Sequence, residues 1–228
     1  MATHKDLNKH LPEIRSVIES IPTIIPVHRA AFKKGYSFSD IPFEQQLQIW
    51  DHVWHHSNNF WAQLHAYFFL EEAVKKKEYH AAIWQASVAW QELVHDWGLC
   101  DALAKVNTKV LESYPGEVYG LLAEWNKDRD IWKRRQSVVS LLYYSRTKKT
   151  YLPYKKIAAL VTPLLLDKEY YVQKGVGWTL RELHTICPAE TMLFLKKNIK
   201  DVSPIAFTIA IEKMNTAEKD ALKILRKK

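Results

Sequence analysis

Apolar residues recur along the chain at a spacing close to 3.6, and few long stretches alternate apolar and polar residues at period two. This pattern predicts a succession of helices separated by short breaks. The predicted bounds are 5–20, 26–34, 43–55, 59–76, 79–96, 98–112, 116–125, 129–144, 153–166, 168–185, 189–198, 203–213 and 216–227. Prolines stand at or near five of these starts, where a missing N–H costs little. The chain is therefore predicted to be all α.

Two predicted helix pairs in the second half of the chain resemble each other. Residues 121–125 and 132–142 form one pair, and residues 157–165 and 171–183 form the other. In each pair an apolar helix leads, a polar turn follows, and a helix with basic residues closes. This is typical of a helical-repeat array, a curved superhelix whose second helices commonly line the concave face. Because no linker or low-complexity segment interrupts the chain, residues 1–228 are interpreted as a single domain.

The composition and charge of the chain limit the possible classes of function but do not identify one. The 228 residues carry a net charge of +8 and a pI of about 9.3, which fits binding to a polyanion, either nucleic acid or an anionic membrane surface. No apolar run reaches the roughly 18 residues that a membrane span needs. The N-terminus lacks a hydrophobic signal core, so a cytoplasmic protein is expected.

The metal-binding residue types show no convincing pattern. Cys100 and Cys187 lie far apart and are interpreted as buried, reduced thiols rather than a disulfide. His52, His55 and His56 are scattered around a predicted helix, and no zinc spacing is present. No metal and no cofactor is therefore expected. The nine tryptophans are mostly interpreted as packing between helices, so a functional role for any of them must rest on its neighbours.

Three short segments carry candidate chemistry. Trp97 and Asp101 stand at i and i+4 and share a face if the helix runs through Gly98; if Gly98 breaks the helix, Asp101 is instead a cap or turn residue. Both interpretations remain open at this point. Lys133, Arg134 and Arg135 are consecutive and point about 100° apart, so they cannot all face one ligand. One of them could still bind a phosphate through a bidentate guanidinium contact.

The third segment surrounds Trp178. Arg181 and Glu182 lie on its helical face, either as an ion pair that supports the aromatic ring or beside a ring that faces a cationic base or sugar. Gly175 and Gly177 permit close approach of another backbone, and a neighbouring helix is favoured over a nucleic acid strand. The basic segment 145–150 is either a solvated connector or a phosphate contact, with the connector favoured.

Taken together, these segments resemble the bacterial AlkD family of DNA alkylation repair glycosylases. The resemblance extends from about Trp97 to about Asn198. It is strongest at 168–182 (KEYYVQKGVGWTLRE) and clear at 130–135 (DIWKRR) and 97–101 (WGLCD). It implies HEAT-like helical repeats that wrap around duplex DNA with a basic concave face.

The resemblance also implies roles for individual residues. The family's catalytic carboxylate corresponds to Asp101, its two lesion-facing tryptophans to Trp97 and Trp178, and its backbone-gripping arginine to Arg135. Lysines that follow the Arg135 helix in the family are replaced here by Tyr143 and Tyr144. The candidate DNA contacts are Lys133, Arg134, Arg146, Lys148, Lys149, Lys174 and Arg181.

The leading hypothesis is a monofunctional glycosylase that releases cationic N3- or N7-alkylated purines from double-stranded DNA. Such a base leaves neutral, so a carboxylate that stabilises an oxocarbenium-like sugar and positions water is sufficient. No lysine can be singled out as a Schiff-base nucleophile, so lyase activity is not predicted. A monomer that associates with the nucleoid is expected. The alternatives are a non-catalytic HEAT-like protein that binds damaged or branched DNA, and a protein-interaction scaffold with a tryptophan core.

Overall fold

The computed structural model describes residues 4–227, with side chains from residue 6 onwards, and these residues form fourteen α-helices and three short 3-10 helices without a strand. The predicted all-α class is therefore confirmed. The chain divides into two compact units, Met1–Val94 and His95–Lys228. The assignment of residues 1–228 to a single domain stays a prediction. Within the described part of the chain, no helix combines the length and the apolar character that crossing a bilayer requires.

The first unit contains six α-helices. They are α1 (His4–Asn8), α2 (Leu11–Glu19), α3 (Ile25–Lys34), α4 (Phe43–His56), α5 (Phe60–Ala73) and α6 (His80–Gln91). The predicted helix 5–20 is thus two helices. Pro12 lies in the first turn of α2, where its missing N–H costs little, whereas the interior of a continuous helix would lose a hydrogen bond there. The predicted helix 79–96 also ends earlier, at Gln91.

Stacked tryptophans form the centre of this unit. The rings of Trp54 and Trp90 lie parallel with centroids 4.5 Å apart, and both side chains are almost completely buried. Each indole N–H has a partner: Trp54 Nε1 donates to the Trp90 carbonyl at 3.1 Å, and Trp90 Nε1 donates to Asp51 Oδ1 at 2.7 Å. Buried indoles that are satisfied in this way stabilise a core, as expected for most of the tryptophans.

The second unit contains eight α-helices, and seven of them form two rows. They are α7 (Trp97–Ser113), α8 (Pro115–Trp125), α9 (Ile131–Leu142), α10 (Tyr154–Val161), α11 (Tyr170–Ile186), α12 (Pro188–Lys197), α13 (Pro204–Ala210) and α14 (Thr216–Lys227). Helices α7, α9, α11 and α13 pack side by side in that order, and we call them the second-helix row. The first helices of each pair, α8, α10 and α12, pack against this row. This is the arrangement that the repeated helix pairs predicted.

Two glycines allow the second-helix row to pack closely. A Cβ atom at Gly177 would lie 2.6 Å from the carbonyl oxygen of Ala206 on α13, closer than van der Waals contact allows. A Cβ atom at Gly175 would lie 3.2 Å from Val139 Cγ2 and 3.3 Å from Arg135 Cγ on α9. Both glycines therefore serve helix packing, as predicted from their positions within α11.

Candidate functional site

The start of α7 determines where Trp97 and Asp101 point. Asp96 caps the helix, because its Oδ1 accepts hydrogen bonds from the backbone N–H groups of Gly98 at 2.6 Å and Leu99 at 3.0 Å. The helix therefore begins before Gly98 and runs through it. Of the two alternatives left open by the sequence, the continuous helix is the one observed. Trp97 and Asp101 share a helical face, and Trp97 is 56% exposed.

Asp101 forms a bidentate ion pair with Arg135. Arg135 donates from Nε to Oδ1 and from Nη2 to Oδ2, both at 2.9 Å, and it donates from Nη1 to the Tyr171 carbonyl at 2.6 Å. One guanidinium thus connects α7, α9 and α11 across the second-helix row. The arginine is buried, whereas the Asp101 side chain stays 23% exposed. This carboxylate is rigidly oriented and still open to solvent.

The electrostatic environment of Asp101 is a balance of opposing effects. Burial raises the pKa of its carboxyl group above the ordinary value, while the positive charges of Arg135 and Lys174 act in the other direction. The net shift is upward. Lys174 lies one turn before Trp178 on α11, so it and the tryptophan share a face of that helix.

The local sequence explains why Arg135 reaches this position. Asp130 caps α9 by accepting from the N–H of Trp132 at 2.7 Å, so α9 starts one turn before the arginine. Asp128 lies in the turn before α9 and accepts a hydrogen bond from the N–H of Asp130. Gln136 donates to the carbonyl of Cys100 at 2.7 Å and fixes α9 against α7. Because residue 175 on α11 is a glycine and has no side chain, the Arg135 side chain has room to pack against α11.

Trp178 lies in an aromatic cluster. Its ring centroid is 5.3 Å from that of Tyr143 and 5.9 Å from that of Tyr144, and the ring is only partly exposed. The guanidinium of Arg181 lies 5.8 Å from the same ring and donates to Glu212 at 2.5 Å, with Glu182 3.6 Å away. Arg181 and Glu182 therefore form the ion pair beside the Trp178 ring that the sequence offered as one alternative.

Four of the predicted DNA-contacting cations use donors within the protein, namely Arg134, Arg135, Lys148 and Arg181. The three guanidinium nitrogens of Arg135 bind Asp101 and the Tyr171 carbonyl. The expected grip of Arg135 on the DNA backbone stays a prediction. Arg134 donates to Asp167 at 2.7 Å and to two carbonyls of the preceding turn.

Lys148 is the clearest departure from expectation. Its side chain is 1% exposed, and its ammonium donates to the carbonyl and the hydroxyl of Thr108 at 2.8 and 3.1 Å. Burial lowers the pKa of this lysine to about 8. A lysine in that position holds the segment after α9 to α7 and does not reach a phosphate. Lys148 therefore fits neither the solvated connector nor the phosphate contact that the sequence suggested for segment 145–150.

The remaining predicted cations differ in their availability. Arg146 and Lys149 are exposed, and the Lys174 ammonium lies 5.2 Å from the ring of Tyr170. Lys133 is 3.7 Å from Asp128. Arg146, Lys149 and Lys174 therefore remain the best candidates for contact with a polyanion.

Both cysteines are free thiols. Cys100 is completely buried next to the Trp132 carbonyl, and burial raises the pKa of its thiol well above the ordinary range. Cys187 is partly exposed rather than buried. Neither thiol is activated for nucleophilic chemistry, since burial raises the pKa of Cys187 as well.

A comparison with protein families identifies the chain. The family model described as DNA alkylation repair enzyme matches residues 21–214. The chain belongs to the DNA alkylation repair enzyme family. The predicted resemblance to AlkD-like proteins is thereby confirmed, and the match also covers most of the N-terminal half, where the motifs were weakest. Membership of this family implies a DNA substrate.

Solved structures give the same fold. The chain is similar to AlkD2 from Streptococcus mutans, with a TM-score of 0.61 and 16% sequence identity over 97% of this chain and 98% of that one. It is also similar to smu.31 from Streptococcus mutans UA159, with a TM-score of 0.60, 16% identity and the same coverage. No curated protein matches the chain. At this identity the chain shares its HEAT-type fold with these structures, while its chemistry must be argued from its own site.

The sequence predicted Asp101, Arg135 and the two tryptophans as site residues, but it did not predict the other groups that contact them. It did not anticipate that Tyr171 would supply a carbonyl to Arg135, because a backbone acceptor carries no sequence signal. It also gave Glu182 no role beyond the Arg181 pair. The replacement of lysines by Tyr143 and Tyr144 was the available signal for the aromatic cluster around Trp178.

Proposed function

We propose that the protein is a monofunctional DNA-alkylpurine N-glycosylase that releases cationic N3- or N7-alkylated purines from duplex DNA and acts as a monomer. The observation that carries the proposal is the Asp101–Arg135 pair. A carboxylate that receives two hydrogen bonds from a buried guanidinium, yet stays partly exposed beside an exposed tryptophan, is suited to interact with a developing positive charge.

The chemistry follows from the charge on the lesion. An alkylated purine carries a positive charge that weakens its glycosidic bond. When that bond breaks, its electron pair returns to the base, which leaves neutral, and positive charge develops on the sugar. Asp101 stabilises that charge and accepts the proton of the water that attacks the anomeric carbon. Each carboxylate oxygen has a second lone pair free for this role, since Arg135 uses one on each.

The tryptophans supply selectivity for charge. An indole face attracts a cation by about 0.5 to 2 kcal/mol, depending on desolvation. Trp97 is exposed enough to lie against a cationic base or sugar. Trp178 contributes from α11 on the same row of helices, and Lys149 and Lys174 would bind the phosphate backbone. A lesion without positive charge should therefore be a poor substrate.

The test is base release from duplex DNA that contains 7-methylguanine, with the parent protein and Asp101→Asn compared under single-turnover conditions. The parent should release the base, and the variant should lose most of the rate. Asparagine keeps the shape but removes the charge, so Arg135 loses its ionic partner. Losing one member of a buried pair can cost about 3–5 kcal/mol, less for this partly exposed one. Fold integrity must therefore be checked.

The chain offers a matched control for that loss of stability. Asp167 binds the adjacent Arg134 through the same two guanidinium atoms, Nε and Nη2, and is only 9% exposed. Asp167→Asn breaks an equivalent ion pair between the N-terminal end of α9 and the turn before α11. It should be destabilised at least as much as Asp101→Asn and should still release 7-methylguanine. Equal loss of activity in both variants would contradict the role of Asp101.

The same experiment also tests a second candidate function, non-catalytic binding of damaged or branched DNA. Tyr143 and Tyr144 contact the ring of Trp178, and that ring is only partly exposed, so less of it can face a cationic lesion. These observations favour a non-catalytic protein that binds damaged or branched DNA. Absence of base release, together with retained DNA binding that weakens steeply with salt, would support that function.

A further inference from the structure

The turn after α9 holds an exposed tyrosine in a strained backbone conformation. Tyr144 has φ 46° and ψ 75°, in the left-handed region that bulky residues rarely adopt. Glycine or asparagine would form this turn at lower cost. The tyrosine side chain is 41% exposed, so burial in a core does not explain its presence. Strain of this kind is a reason to look for function.

Contacts from α11 and α7 fix the turn on both sides. On the α11 side, buried Glu182 accepts hydrogen bonds from the backbone N–H of Ser145 at 3.0 Å and from its hydroxyl at 2.8 Å. Lys213 donates to the other Glu182 oxygen at 3.1 Å. These donors outweigh burial and lower the pKa of Glu182, which stays ionised. On the α7 side, Lys148 binds Thr108. The turn is therefore a rigid platform.

This platform places the Tyr144 ring beside Trp178, one of the two tryptophans that the proposed function places against the lesion. The ring meets Trp178 edge to face, with centroids 5.9 Å apart and planes at 78°, and it meets Tyr143 at 4.7 Å and 81°. The guanidinium of Arg146 lies 5.7 Å from the same ring and is exposed. An exposed aromatic ring with a cation next to it is the combination that binds nucleic acid bases with phosphates beside them.

We propose that Tyr144 stacks on an unpaired nucleobase of the damaged duplex while Arg146 binds a neighbouring phosphate. Glu182 acts as a positioning residue, since it holds Ser145 and thereby the tyrosine. The inference rests on the proposed function only in that DNA is the substrate, and it applies equally to a glycosylase and to a non-catalytic DNA-binding protein. It also gives a reason for tyrosine, rather than lysine, at this position.

The test compares two substitutions at Tyr144 on two DNA duplexes of the same sequence. One duplex contains a tetrahydrofuran abasic-site analogue, which leaves the opposite base unpaired, and the other is fully paired. Tyr144→Gly relieves the backbone strain but removes the ring contacts with Tyr143 and Trp178. These effects oppose each other, so its unfolding temperature should stay close to that of the parent. Tyr144→Phe keeps the ring. Dissociation constants are measured by fluorescence anisotropy at one salt concentration.

Loss of a base stack should weaken binding of Tyr144→Gly to the abasic duplex by about tenfold and leave the paired duplex nearly unchanged. Tyr144→Phe should bind both duplexes as the parent does. An equal effect of Tyr144→Gly on both duplexes, or no effect on either, would overturn the proposal. Base release is measured separately, so a protein that shows the Tyr144 effect but releases no base contradicts only the glycosylase function.

Discussion

The close packing of α11 against α13 gives a prediction whose magnitude follows from the structure. In Gly177→Ala the new methyl group would lie 2.6 Å from Ala206 O and 2.9 Å from both Ala206 Cα and Ile209 Cβ. Normal carbon contacts need about 3.5 Å or more, so α13 must move by several tenths of an ångström. Two of these three atoms belong to the backbone of a helix, which cannot rotate away.

The expected cost combines two effects of opposite sign. Overpacking costs about 1–3 kcal/mol, and contact with a backbone favours the upper end of that range. Alanine in a helix interior gains about 1 kcal/mol over glycine. The net loss in the free energy of unfolding should be about 2 kcal/mol, or roughly 4–8 °C in melting temperature for a chain of this size.

A matched control separates packing from helix propensity. Gly120 lies inside α8, where an added Cβ atom would meet nothing within 4 Å. Gly120→Ala should therefore be stabilised by about 1 kcal/mol. Urea and thermal unfolding, followed by circular dichroism, would measure both variants against the parent. If Gly177→Ala were as stable as the parent or gained stability as Gly120→Ala does, the inferred close contact between α11 and α13 would be refuted.

Two further predictions concern pH and salt. Burial lowers the pKa of His65 to about 4, and its ring nitrogens contact Tyr36 and His28, so this histidine is neutral when folded. The unfolded state takes up the proton first as the pH falls below about 6.5, and stability should drop by about 2 kcal/mol between pH 7 and pH 5. Urea titrations of His65→Gln should show a smaller drop, and an unchanged drop would contradict this assignment. In binding to duplex DNA, Arg146→Gln should reduce the slope of log affinity against log salt by about 1, whereas Lys223→Gln on α14 should not change it.

The fold was largely predictable because helical periodicity and repeated helix pairs are carried by many residues. The sequence left open whether Trp97 and Asp101 share a helical face. The residue that decides this is Asp96, which caps the helix and lies one residue before the motif. The burial of Lys148 against Thr108 could not be predicted from the sequence. A lysine in a basic segment resembles a phosphate contact, and its burial depends on Thr108, 40 residues earlier in the chain. Such pairings are decided by tertiary packing and leave no local signal.

The two adjacent arginines of α9 show why exposure, and not the ion pair itself, distinguishes the candidate site. Arg134 and Arg135 each hold an aspartate through Nε and Nη2, and each also donates to at least one backbone carbonyl. The Arg134 pair leaves Asp167 only 9% exposed, and it closes the turn before α11. The Arg135 pair leaves Asp101 23% exposed on the face of α7 that also carries Trp97. A carboxylate interacts with a sugar cation only if the sugar can approach it. The Arg134–Asp167 ion pair therefore stabilises the fold, whereas the Arg135–Asp101 ion pair leaves a carboxylate that a substrate can reach.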